Sequence, residues 1–169
     1  MMVSDLHTFD NQALTADNIY AILSAVKDPE IPVISIQELG ILQQVKLRGD
    51  TIHVGVIATY SGCPAMHAIK ADIKAALSEL VAERGIKEVV VKLLDKPVWN
   101  TGMISVKGRA AMQAYGITPP LTVDEKQIKC PQCGSDDTTC ISEFGSTACK
   151  ALYRCKSCLE PFDYFKCHA

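Results

Sequence analysis

Eight cysteines stand in this 169-residue chain, and their spacing is where its chemistry begins. Cys130-Pro131-Gln132-Cys133 and Cys155-Lys156-Ser157-Cys158 are two C-x-x-C knuckles with twenty-one residues between them. Each knuckle is a tight turn that aims two thiolates at one centre, and two knuckles complete a tetrahedral four-sulfur shell. Structural Zn²⁺ is the simplest occupant, and a rubredoxin-like iron is the rival. Cys63 is different. In Thr59-Tyr60-Ser61-Gly62-Cys63-Pro64 it joins a strand pattern to a helix pattern, with Pro64 suited to the first helical position. Cys63 is then expected at the N-cap, facing free N–H groups and the positive end of the helix dipole. That environment favours thiolate, the form that attacks or ligates. His67 follows one turn later, as a partner or as a solvent-facing imidazole. Asp28-Pro29-Glu30 sets two carboxylates on a rigid loop, as helpers to a metal or as solvated charges at a helix end.

Cys140, Cys149 and Cys167 remain. A two-residue turn at Phe144-Gly145 would set Cys140 opposite Cys149 across a hairpin. The two are then a redox-sensitive pair or, with Cys167 or His168, a second metal site; alternatively Cys140 is simply a small buried residue.

These residues need elements to hold them. Thr15 reads as the cap of a helix carrying Ile19, Ile22, Leu23 and Val26 on one face, stopped near Asp28 by Pro29 and Pro32. Residues 41–48 and 51–58 alternate as strands around Gly49-Asp50, placing Leu47 opposite Ile52 and Val45 opposite Val54. A long helix is expected over 64–84, then a buried strand over 87–94 and a helix over 103–115. The order α-β-β-α-β-α predicts a small α+β domain over 16–118, its mixed sheet packed by helices, after a flexible terminus over 1–15. Residues 119–129 read as a linker, and 130–169 as a zinc ribbon with strands over 138–142, 148–154 and 161–165. Forty residues are too few for a sizeable apolar core, which a metal can replace.

Composition narrows the function. Seventeen basic against nineteen acidic residues leave a net charge of -2. Within 130–169, four basic residues face five acidic ones, so no phosphate-binding surface is expected and protein contact suits the ribbon better. The opening residues lack the flank and apolar stretch of a signal peptide, and no eighteen apolar residues run together. A cytoplasmic protein without a membrane span is expected, and cysteines clustered in a reducing compartment point to metal or thiol chemistry rather than disulfides.

Asp28-Pro29-Glu30-Ile31-Pro32, Ser35-Ile36, Leu39-Gly40-Ile41 and Tyr60-Ser61-Gly62-Cys63-Pro64-Ala65 closely resemble the MIP-eighteen family of iron–sulfur assembly domains. Arg109 and Tyr115-Gly116-Ile117 continue the likeness. The tail, with residues 144–150 and 161–167, resembles the D-subunit family of bacterial phenylacetyl-CoA epoxidase. The resemblance implies a cytoplasmic accessory protein of aerobic phenylacetate degradation. It would mature the epoxidase system rather than catalyse epoxidation, with Cys63 touching transient iron or an iron–sulfur cluster and Asp28 and Glu30 assisting. Its partners would be the epoxidase, its iron–sulfur reductase, or a second copy of the chain. The alternative is a non-catalytic component that bridges epoxidase and reductase.

Overall fold

A computed structural model describes residues 13–122 and 124–166. The expectations for residues 1–12 and for Cys167 and His168 lie outside the described residues. Helix α1 (Ala16–Leu23) opens on a reciprocal cap: Thr15 Oγ1 accepts from the Asn18 N–H, and the Asn18 side chain accepts from the Thr15 N–H. It buries Ile19 and Leu23 completely. The chain then runs through a loop with Val26 interior before the Asp28–Glu30 turn and Ile31, Ile34, Ile36, Leu39 and Ile41 interior after it, so the turn is anchored on both sides.

Strands β1 (Leu42–Arg48) and β2 (Thr51–Val56) pair antiparallel, with Leu47 opposite Ile52 and Val45 opposite Val54, the expected register. β2 leads into α2 (Ala65–Ala76) and α3 (Ser78–Glu83), and β3 (Glu88–Leu93) returns parallel to β2. Two expectations are corrected here. The single long helix is interrupted at Leu77, which leaves helical geometry, and the Ser78 hydroxyl donates back to Ala75 O beside the break. β3 is a half-exposed edge rather than a buried strand, because the three-stranded sheet β1-β2-β3 ends with it. Val89 and Val91 turn to the core, while Lys92 and Leu93 are exposed.

A 3-10 turn (Thr101–Met103) precedes α4 (Val106–Tyr115), whose Ser105 cap accepts from the Gly108 N–H at 3.0 Å. Gly116 ends α4 in the left-handed region at φ +93°, and a Cβ there would meet nothing closer than 3.7 Å. Gly116→Ala is therefore expected to cost about 1–2 kcal/mol through backbone strain alone, measured as a lower urea midpoint with an unchanged slope.

Directly after Gly116, β4 (Ile117–Thr118) joins the second sheet. That sheet contains β5 (Thr138–Ser142), β6 (Lys150–Cys155) and β7 (Pro161–Phe165), in the order β4-β7-β6-β5. β4 runs parallel to β7, so the ribbon is hydrogen-bonded to the end of the first domain. Residues 119–129 hold neither helix nor strand among those described. Their ends are tied, with Thr118 Oγ1 donating to Lys129 O at 2.8 Å. Phe165 enters the core of the first domain, stacking edge-on against Trp99 at 6.1 Å between centroids. The ribbon's own apolar cluster is small: Cys130, Cys155 and Phe162 are its buried members among those described, while Cys149 and Phe165 pack into the core of the first domain.

Candidate functional site

Two sites stand out, one in each half. In the ribbon, the Sγ atoms of Cys130, Cys133, Cys155 and Cys158 all lie within 4.8 Å of one another. The Cys130–Cys158 and Cys133–Cys155 separations are 3.6 and 3.5 Å. A tetrahedron with Zn–S bonds of about 2.3 Å has edges of about 3.8 Å, so the four sulfurs are set for zinc with little adjustment. The knuckle turns are made by Gly134 N–H donating to Cys130 O, with Gly134 at φ +75°, and by Cys158 N–H donating to Cys155 Sγ. That N–H, first among its neighbours, draws the Cys155 thiol down to about 6. Cys158, against its Glu160 backbone hydrogen bond, is pushed up to about 12 by burial and the neighbouring sulfurs, so a metal would have to displace the remaining protons. Ser135 Oγ and Ser157 Oγ meet at 2.8 Å and link the two knuckles. Four thiolates leave no open position, so bound zinc supplies folding energy here rather than reactivity.

The second site surrounds Cys63. The structure places this residue one position outside the expected cap: Pro64 is the N-cap of α2, and Cys63 precedes it. The helix still reaches it, since the Ala65 N–H hydrogen-bonds its sulfur, but that is not the winning effect. Burial raises the Cys63 thiol above its ordinary value, and the charges of Glu30 and Asp28 push the same way. The expected standing thiolate is therefore a protonated thiol. It is half-buried and lines a cleft of about 420 Å³ with Gly62, Met66, His67, Lys70 and Leu93. His67 is exposed on that cleft.

Asp28 and Glu30 have distinct placements. Asp28 is buried, its Oδ1 accepting from the Glu30 and Ile31 N–H groups at 2.9 Å each. Burial raises its pKa, and the two N–H groups oppose the rise. It holds the turn, and the turn aims Glu30. Tyr60 hydrogen-bonds Cys63 and lies within electrostatic reach of Glu30; burial, then these neighbours, pushes its phenol up to about 12.

Cys140 and Cys149 do not form the expected pair. Cys140 faces Tyr153 across the β5–β6 ladder, and an irregularity between Cys140 and Ser142 shifts the register. The turn is longer than two residues, since β5 ends at Ser142 and β6 begins at Lys150. Cys140 is exposed, whereas Cys149 is buried and points into the other domain. Its thiol donates to Glu30 Oε2 at 2.9 Å, beside Thr147 Oγ1 at 3.1 Å. Burial first, then the Glu30 bond, raises it to about 12. Lys150 Nζ donates to Glu30 O at 2.9 Å. Tyr60 and Lys150 had no expected role. Both lie inside motifs that the sequence makes conspicuous, but motif membership does not show that they meet.

Comparison with known proteins matches the same two halves. Residues 16–91 match the family described as "Iron-sulfur cluster assembly protein", and residues 118–166 match the "PaaD zinc beta ribbon domain". A solved Bacillus anthracis structure, titled a domain of unknown function DUF59, shares the first domain's fold. Its TM-score is 0.52 at 30% identity, over 57% of this chain and 90% of that one. A Porphyromonas gingivalis protein named "Fe-S protein maturation auxiliary factor" is 33% identical over 54% of this chain and 84% of its own length. Four close cysteines in a ribbon fit structural zinc, and an assembly domain fits iron or a cluster as transient cargo. An Escherichia coli protein, named as the D subunit of a "Putative 1,2-phenylacetyl-CoA epoxidase", is 46% identical over 88% of this chain and 91% of its own length. With both halves matched in order, the chain belongs to the family of phenylacetyl-CoA epoxidase D subunits.

Proposed function

We propose that this chain is a cytoplasmic maturation factor for a phenylacetyl-CoA epoxidase system in aerobic phenylacetate degradation. Its cargo is iron or an iron–sulfur cluster, and its client is the epoxidase or its iron–sulfur reductase. It is an accessory protein rather than a catalyst of epoxidation. The observation that carries this reading is the grouping of Cys63, which lines the cleft, with Tyr60, which hydrogen-bonds it, and with the Glu30 carboxylate within electrostatic reach. Cys63 is held protonated until a cation arrives. The carboxylates that oppose an isolated thiolate attract a metal, and the metal replaces the thiol proton. One thiolate at a cluster edge can then be exchanged for better ligands on the client. Asp28 positions the carboxylate-bearing turn and does not itself bind cargo.

The test is Cys63→Ala in cells that produce the epoxidase system. Stability is expected to change by less than about 1 kcal/mol, because the side chain is small and half-exposed. Iron and acid-labile sulfide in the purified client should fall about ten-fold or more, a loss of the size that weakened metal sites show. Full client loading with this variant would overturn the reading. It would favour the bridging role, whose signature is co-purification with epoxidase and reductase regardless of Cys63.

A further inference from the structure

The Cys149–Glu30 contact joins residues 119 positions apart, from two different domains. It is not a surface accident. Cys149 is 4% exposed and belongs to the same apolar core as Phe165 and the buried isoleucines of the Asp28–Glu30 loop. Its thiol spends its hydrogen on a carboxylate that also acts electrostatically on Cys63. Tyr60 feels all three groups: it bonds Cys63 and senses the charges of Glu30 and Cys149. Cys149 and Glu30 are in direct contact, and Cys63 lies within electrostatic reach of the same carboxylate. Two thiols and a carboxylate are a soft-plus-hard donor set suited to iron. Lys150, 6% exposed, fixes Glu30 through its backbone oxygen. A buried ammonium needs negative charge beside it, and Lys150 acts electrostatically on Asp28 and on the Cys149 thiol.

We propose that Cys149 is a ligand for the cargo, so that the metal site is composite: Cys63 and Glu30 from the assembly domain, Cys149 from the ribbon. This rests on the maturation reading and says how that site is completed. One Fe²⁺ would bind two thiolates and one carboxylate, releasing one proton from each thiol with no change in oxidation state. The resulting charge, +2 less three, is offset by Lys150. Among the described residues, the ribbon's four cysteines form the one group with all donors within 4.8 Å. Cys63, Glu30 and Cys149 are not drawn together to that degree, so Fe²⁺ would bring Cys63 up to the Cys149–Glu30 pair on binding. Such a protein retains its zinc in one place and gives up its cargo in the other. The zinc ribbon then has a purpose beyond its own fold, since it holds Cys149 against Glu30.

Anaerobic titration of the zinc-loaded full chain with Fe²⁺ tests this, followed by the thiolate-to-metal charge-transfer band in the near ultraviolet. Wild-type protein is expected to bind one Fe²⁺ with a two-thiolate band. Cys149→Ser and Cys63→Ser should each show about half that intensity, and affinity lower by about ten-fold or more. Glu30→Gln keeps both thiolates and its half-exposed position, so it should keep the band and lose affinity. It also covers the case in which Cys149→Ser does not fold. Zinc content of one per chain and an unchanged melting curve verify each variant. Wild-type intensity and affinity in Cys149→Ser, or in Glu30→Gln, would overturn the composite site. If only Cys63→Ser then lost the band, the maturation reading would stand without Cys149. If no variant altered binding, both would fall.

Discussion

Cys155→Ser, or stripping of zinc by a strong chelator, is expected to unfold the ribbon and loosen the domain it is docked to. The buried members of the ribbon's separate apolar cluster, among the described residues, are Cys130, Cys155 and Phe162, and two of these three are metal ligands. Apolar burial on that scale cannot order some forty residues, each of which costs about 1–2 kcal/mol of backbone entropy. Zinc binding to four thiolates contributes on the order of 10–16 kcal/mol in comparable small domains, so the metal is the larger stabilising influence. Loss should spread because β7 pairs with β4 and Phe165 sits against Trp99. The chain has a single tryptophan, so its fluorescence reports that junction. The measurement is metal content by elemental analysis, with circular dichroism and Trp99 emission across a chelator titration. One zinc per chain is expected, lost together with the β signal and a change in emission. A metal-free protein with unchanged emission and melting would sink the idea.

Phe165→Ala is expected to destabilise the protein by about 3–5 kcal/mol, the usual cost of truncating a buried phenylalanine. Phe165 is 2% exposed and is the last residue of β7, yet it packs in the core of the first domain. Its edge-on partner Trp99 is itself fixed, the indole N–H donating to Leu39 O at 2.8 Å. A change of this size in a chain of this length lowers the melting temperature by on the order of 10 °C. Scanning calorimetry gives the number. The diagnostic feature is zinc retention: a variant that still holds one zinc but melts earlier shows that the interface, not the metal centre, was damaged. A shift below about 1 kcal/mol would mean that the ribbon rests on the first domain without stabilising it.

The expectation for Cys63 was reasonable locally and still reversed. A helix N-terminus lowers a thiol's pKa, and the Ala65 N–H does act on this sulfur. Burial and two carboxylates from the Asp28–Glu30 turn act against it and win. Those carboxylates are more than thirty positions away in the chain, so the spacing around Cys63 carries no trace of them. The Cys140–Cys149 pairing failed for a related reason. It assumed a two-residue turn, whereas the longer loop frees Cys149 from the hairpin to meet Glu30.

What the amino-acid order determined by itself was whatever has a short period or a fixed spacing. The two knuckles specify a four-sulfur site because two turns suffice to aim four thiolates. The β1–β2 register follows from a two-residue turn and alternating side chains, both local properties. Tertiary structure alone decided that β4 enters the ribbon's sheet, that Phe165 crosses into the neighbouring core, and that Cys149 faces Glu30. These are contacts between segments far apart in sequence, selected by which apolar faces could be buried together. No local pattern encodes that choice, because it depends on the shape of both partners after each has folded.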